Sequence, residues 1–206
     1  MRSPEPVLKP IPIKDLRPTQ MTVGFREVEE KRAEWRKRCD TDGGEFLGRH
    51  MVPVVLGPKG RPYVIDHHHL ARALLEEAVE EMLVNVVADL SHLEKMAFWV
   101  FMDNRGWCHP YDADGVRQGF DEIPTSIGRL ADDPYRSLAG ELRRAGGYAK
   151  DNTPFSEFMW ADFLRRRIKA KRLEKNFSDA LAHGMTLSHT HAASYLPGWC
   201  GAAIGG

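Results

Sequence analysis

The chain has 206 residues, 42% hydrophobic and 28% charged, a ratio that supports one globular core plus an extension and excludes a disordered or fibrous protein. Its 29 Lys and Arg residues are matched by 29 Asp and Glu, so no whole-chain positive excess draws it onto nucleic acid, and no apolar run approaches the roughly 20 residues that span a bilayer. Cys39, Cys108 and Cys200 are far apart and form no disulfide framework, and the proline-rich start lacks the apolar stretch of a secretory signal, so the expected compartment is the cytoplasm.

Val7, Ile11, Ile13 and Leu16 among prolines predict an extended arm entering an edge strand, and Arg17–Gln20 turns the chain. Phe25 to Cys39 has helical periodicity, followed by an expected loop at Asp42-Gly43-Gly44. Val52–Leu56 and Tyr63–Ile65 predict a hairpin about Gly57–Gly60. A helix is expected from Asp66 to about Val79, then a strand over Leu83–Leu90. Ser91 and Glu94 fit a capping box opening a helix to about Asn104. After Gly106 no strand is predicted. Helices are expected over Pro134–Ala145, with Asp133 as cap, and over Pro154–Arg172 and Phe177–His183. The fold class is α+β, with a small mixed-sheet core over residues 1–105 and an all-helical extension over 106–206 packed on it.

The segment Tyr63-Val64-Ile65-Asp66-His67-His68-His69-Leu70 places four ionisable residues where a strand ends and a helix begins. The first amides of a helix lack intrahelical acceptors and sit at the positive end of its dipole, so such a turn binds anions. Imidazoles there add donors to phosphate oxygens or shuttle a proton near neutral pH. Three readings compete. A three-histidine metal site is opposed by geometry, because successive helical residues point about 100° apart. In the second, Asp66 caps the helix through the amides of His68 or His69, and the rings decorate the surface. The third is a phosphate or nucleotide site, which Arg72 supports by lying four residues after His68 on the same face. Imidazoles sharing one such turn are expected to titrate as a coupled set.

Taken together, the edge strand, helix, hairpin and the stretch Val64–Ala71 resemble the ParB/sulfiredoxin superfamily, in which a turn of the type Asp-Gly-x-His-Arg or Gly-Cys-His-Arg opens a helix and binds nucleotide phosphates. The closer resemblance is to the ParB-like putative nuclease family, through Leu16–Gln20, Val23-Gly24, Asp66–His69, Asp133–Ser137 and Phe158 to Arg165, from about Pro10 to Gly198. Either His68 or His69 takes the family's histidine. His67 stands where sulfiredoxin has its cysteine, which argues against sulfinic acid reduction. The arginine of partitioning ParB is absent, with Arg72 its nearest substitute, and no helix-turn-helix follows residue 106. Superfamily serine kinases use a carboxylate near the first strand–helix loop, but here no acid occurs until Glu27.

The resemblance implies a nuclease or nucleotide phosphoester hydrolase. In it His68 or His69 acts as general acid or base, Asp66 orients a ring or holds Mg²⁺, His67, Arg72 and Arg136 bind phosphate, and Thr19 and Gln20 close the other side. The expected ligand is a nucleotide or phosphorylated small molecule. The alternatives are a nucleotide-responsive binding module without turnover and a small-molecule, serine-type kinase. Seven basic residues within Arg165–Lys175 form a further candidate contact for nucleic acid, against the plainer reading of a solvated helix end. The aromatic stripe of Phe155, Phe158, Trp160 and Phe163 reads as packing, and Glu157 as an acid able to face the site.

Overall fold

In the computed structural model, which describes residues 8–202, short strands with alternating apolar positions build one mixed sheet in the order β1-β6-β4-β5-β2. These are β1 (Leu8–Pro12), β2 (Arg17–Pro18), β4 (Val52–Gly57), β5 (Arg61–Val64) and β6 (Glu81–Asp89). The two edges are β1 and β2, and both carry prolines, which an edge strand tolerates; the inner strands β4 and β5 carry one each, Pro53 and Pro62. β4 and β5 form the expected antiparallel hairpin, while β4–β6 and β2–β5 are parallel. Val7, in the predicted arm, lies outside the described residues.

The two faces of the sheet bury different cores. Val54, Val64 and Val84 pack with Leu70 and Leu74 of α2 (His68–Glu76) and with Phe46. Their strand neighbours Val55 and Tyr63, pointing to the other face, pack with Phe98, Trp99 and Met102 of α3 (Lys95–Asn104).

Chain contacts divide the described residues into two units. The first comprises the chain to Val23 and Glu27–Asp132, and the second comprises Gly24–Arg26 and the chain from Asp133. Residues 106–132 therefore group with the sheet. The second unit is helical, with α4 (Pro134–Arg144), α5 (Ser156–Arg165), α6 (Ala170–Lys175) and α7 (Phe177–Ser188) around buried Leu138, Leu142, Trp160 and Phe163. Trp160 stacks on Tyr148 at 4.2 Å, so Trp160 and Phe163 of the aromatic stripe are core, while Phe155 and Phe158 are half-buried. Asp133 caps α4 by accepting from the Tyr135 amide at 2.9 Å, with Pro134 in the first turn, as the sequence predicts.

Four local expectations are corrected. The predicted loop at Asp42-Gly43-Gly44 is helical, inside α1 (Phe25–Arg49). Phe46 is fully buried with its ring 5.7 Å from that of Trp35, and Gly43 lies beneath Trp35. That burial outweighs the ~1 kcal/mol by which each glycine disfavours a helix. The capping box at Ser91 does not form: the Ser91 amide donates to Asp89 Oδ1 at 3.0 Å, and α3 begins at Lys95. The predicted helix Pro154–Arg172 breaks between Arg165 and Ala170. A two-residue strand after residue 106, β7 (Ala131–Asp132), pairs with β3 (Thr22–Val23) and is too short to carry a periodic signal. Among the described residues no helix is long and apolar enough to cross a membrane.

Candidate functional site

The turn from β5 into α2 distributes its four polar residues in different directions. His67 occupies the N-cap position with φ 65°, a left-handed conformation that glycine adopts freely and other residues rarely. Asp66 is exposed, and its Oδ1 accepts from the His67 amide at 2.6 Å. The expectation that Asp66 caps the amides of His68 or His69 is thus corrected. No side chain caps α2, and among the described residues the amides of His68 and Leu70 have no protein acceptor. These donors sit at the positive end of the helix.

His68 points inward. The residue is 3% exposed, and its Nε2 accepts from the Thr19 amide at 3.2 Å while the Thr19 hydroxyl donates to the Val64 carbonyl at 2.7 Å. Nε2 is therefore the unprotonated nitrogen. Burial, with the neighbouring His69 as a smaller contribution, holds the His68 pKa down to about 3. His68 is thus a neutral tie between the turn and the segment after β2, and the coupled titration expected of the three rings does not include it. This geometry gives it no part as a general acid.

His69 is also buried, and its Nε2 lies 3.6 Å from Oε2 of Glu27 in the first turn of α1. The separation is an ion-pair distance, longer than a direct hydrogen bond. His67 is exposed. The turn thus offers one paired imidazole, one exposed imidazole and a set of helix amides.

Other predicted ligands are occupied elsewhere. The Gln20 side-chain amide donates to the Thr22 carbonyl at 2.6 Å. Arg72 pairs with Glu76 and donates to the Leu130 carbonyl at 2.9 Å, anchoring the chain before β7. Arg136 belongs to the second unit, where it and Arg143 both pair with Glu157. The basic segment is not one helix, and three of its seven cations are paired: Arg165 with Asp133, Arg166 with Asp162 and Arg172 with Asp179. Cys108 is buried, and burial followed by Asp103 pushes its thiol up to about 12, so it is no nucleophile at neutral pH.

Among the described residues no group of three His, Cys, Asp or Glu side chains is placed to hold a metal ion. Asp66 is the carboxylate of the turn, and one of its oxygens is committed to the His67 amide. The turn therefore does not by itself fit Mg²⁺, which takes about six oxygens in near-octahedral array.

The family described as "Putative ParB-like nuclease" matches residues 9–166, and the chain belongs to that family. Among solved structures, the crystal structure of protein Atu1540 from Agrobacterium tumefaciens is similar, with 57% sequence identity and a TM-score of 0.90. The match covers 96% of this chain and 99% of that one. A comparison with curated proteins gives no match.

Proposed function

We propose that the Asp66–His69 turn binds a phosphate group and that the protein cleaves phosphoesters of a nucleotide or nucleic acid, with His69 as general acid or base. The observation that carries this reading is the pairing of His69 with Glu27 beside the open amides of α2. A carboxylate within reach of an imidazole orients the ring and stabilises its protonated form. The amides of His68 and Leu70 and the exposed His67 ring supply donors for phosphate oxygens. His68 positions the turn, and no step is assigned to a metal.

The backbone also bears on the alignment with the superfamily turn Asp-Gly-x-His-Arg. Left-handed geometry at His67 fits the glycine of that turn. The family histidine then falls on His69, and Leu70 takes the arginine's place.

The test is a screen of nucleic acids and nucleotides for hydrolysis, with and without Mg²⁺ or Mn²⁺. Product formation that His69→Ala abolishes supports the reading. Activity unchanged in His69→Ala removes His69 from the chemistry, and absence of product from every substrate overturns hydrolysis. A second reading, a small-molecule kinase, gains from Glu27, because the acid remote from the first loop in sequence folds onto the turn. Phosphate transfer from a nucleoside triphosphate to serine, lost in Glu27→Gln, would select it.

A further inference from the structure

A hollow in the first unit lies on the α3 side of the sheet, the face opposite α2. Its volume is about 400 Å³, within the ~300–1,000 Å³ range of small-ligand sites. The hairpin β4–β5 supplies Lys59 and Arg61, and the edge strand β2 supplies Arg17 in register with Tyr63. Beneath them is an aromatic floor. The ring of Tyr63 meets the edge of Trp99 at 5.4 Å, and Trp99 lies parallel to Phe120 at 5.9 Å. The floor is tight against the hairpin: a Cβ on Gly57 would stand 2.6 Å from the Tyr63 ring and 2.8 Å from Phe98.

The charge around this hollow is uncompensated. Lys95 and Asp121 also line it, but they neutralise each other as an ion pair. Among the described residues Arg17, Lys59 and Arg61 have no ion-pair partner. Elsewhere in the same unit Arg32, Arg36, Arg72 and Arg117 each sit on a carboxylate, while other cations without an ion pair among the described residues, such as Arg105 and Arg129, do not line this hollow. In a chain of zero formal net charge, three unpaired cations converging on one aromatic-floored hollow mark a site for an anion with an apolar, planar part.

We infer that this hollow binds a nucleotide unit, with its phosphate among Arg17, Lys59 and Arg61 and its base against Phe120. The unit is either a free nucleotide or one residue of a single strand. The site is separate from the Asp66–His69 turn, because Tyr63 and Val64 are adjacent on β5 and face opposite sides of the sheet.

The experiment is fluorescence anisotropy of the full chain with a labelled thymidine decamer over a salt series, with competition by AMP, inorganic phosphate and dextran sulfate. Lys59→Glu/Arg61→Glu, both exposed and therefore harmless to folding, is expected to weaken binding at least tenfold. It should also lower the slope of log K against log salt by about 1.4, from ~0.7 per phosphate contact on a single strand. Phe120→Leu, which keeps the floor apolar, should weaken binding severalfold with the slope unchanged. The part of the binding that Lys59→Glu/Arg61→Glu removes should persist in His69→Ala. Displacement by AMP identifies a free-nucleotide site, and displacement only by unlabelled oligonucleotide identifies a strand site. The inference falls if the decamer does not bind at low salt, or if the charge-reversed variant binds as well as the parent. It also falls if His69→Ala is the variant that loses binding, which moves the ligand to the turn. Equal displacement by dextran sulfate together with an inert Phe120→Leu would reduce the hollow to a bare charged patch.

Discussion

Lowering the pH from 6.5 to 5 protonates an imidazole in an unfolded chain but leaves His68 neutral, because burial holds its pKa down to about 3. The unfolded state then binds a proton that the native state does not, so stability must fall as pH falls below about 6.5. The loss grows by ~1.4 kcal/mol per pH unit and reaches about 2 kcal/mol at pH 5. Glu77, held down to about 2 by Arg36 and then Arg32, starts to cost stability as pH falls into the ordinary carboxylate range, which leaves the window above pH 5 to histidine, and its contribution cancels between the two proteins. His68→Gln removes the titrating ring yet keeps a carbonyl able to accept from the Thr19 amide. Urea unfolding of both proteins from pH 7.5 to 4.5 is the assay. The variant's curve of stability against pH should be shallower by about 1.4 kcal/mol per unit between pH 6 and 4.5, the other histidines cancelling in the difference. Parallel curves would show that the His68 ring titrates normally, and the Thr19–His68 tie would have to be abandoned.

His69→Ala and Glu27→Gln should each reduce any phosphoester cleavage by roughly 10²–10⁴-fold, the usual worth of a positioned acid–base group, with urea unfolding showing a retained fold. His67→Gly relieves left-handed backbone at φ 65° and should stabilise the protein by up to about 1 kcal/mol; a loss of stability would mean that the imidazole has a packing role. Gly198 has φ 72°, and a Cβ there would lie 2.0 Å from the Ala149 carbonyl oxygen, so Gly198→Ala should cost about 3 kcal/mol in thermal or urea unfolding, and an unchanged midpoint would refute that packing.

The sheet was legible because its strands are β-branched and bounded by turn residues: Val52–Leu56, Tyr63–Val64 and Leu83–Asp89 lie where their patterns put them. The cap at Asp133 was legible for a similar reason, since an acid followed by proline has a strong local preference. What sequence misplaced depends on distant partners. Gly43 and Gly44 read as a break only until Phe46 and Trp35 are known to share a core. Ser91 and Glu94 have the right spacing for a capping box, but Asp89, two residues upstream, takes the Ser91 amide first. Local competition of this kind decides helix ends within a few residues and leaves no trace in hydrophobic periodicity.

The site illustrates the same division at the level of single side chains. Residue types at the turn could be read, but their directions could not. Thr19, Gln20 and Arg72 were expected to face a phosphate, yet each uses a donor on a backbone carbonyl, because a buried carbonyl without a partner costs more than a surface group gains from a ligand. Glu27, far from the turn in sequence, was seen only as an acid too late for a kinase base, and folding brings it to His69. Successive helical residues point about 100° apart, which opposes a three-histidine metal site. The same angle separates what the three rings do. His67 is left in solvent by its left-handed backbone, His68 is driven inward and kept neutral on Thr19, and His69 is turned to a carboxylate. A run of identical residues across a strand-to-helix junction is thus three different chemical groups, and each substitution in it tests a different claim.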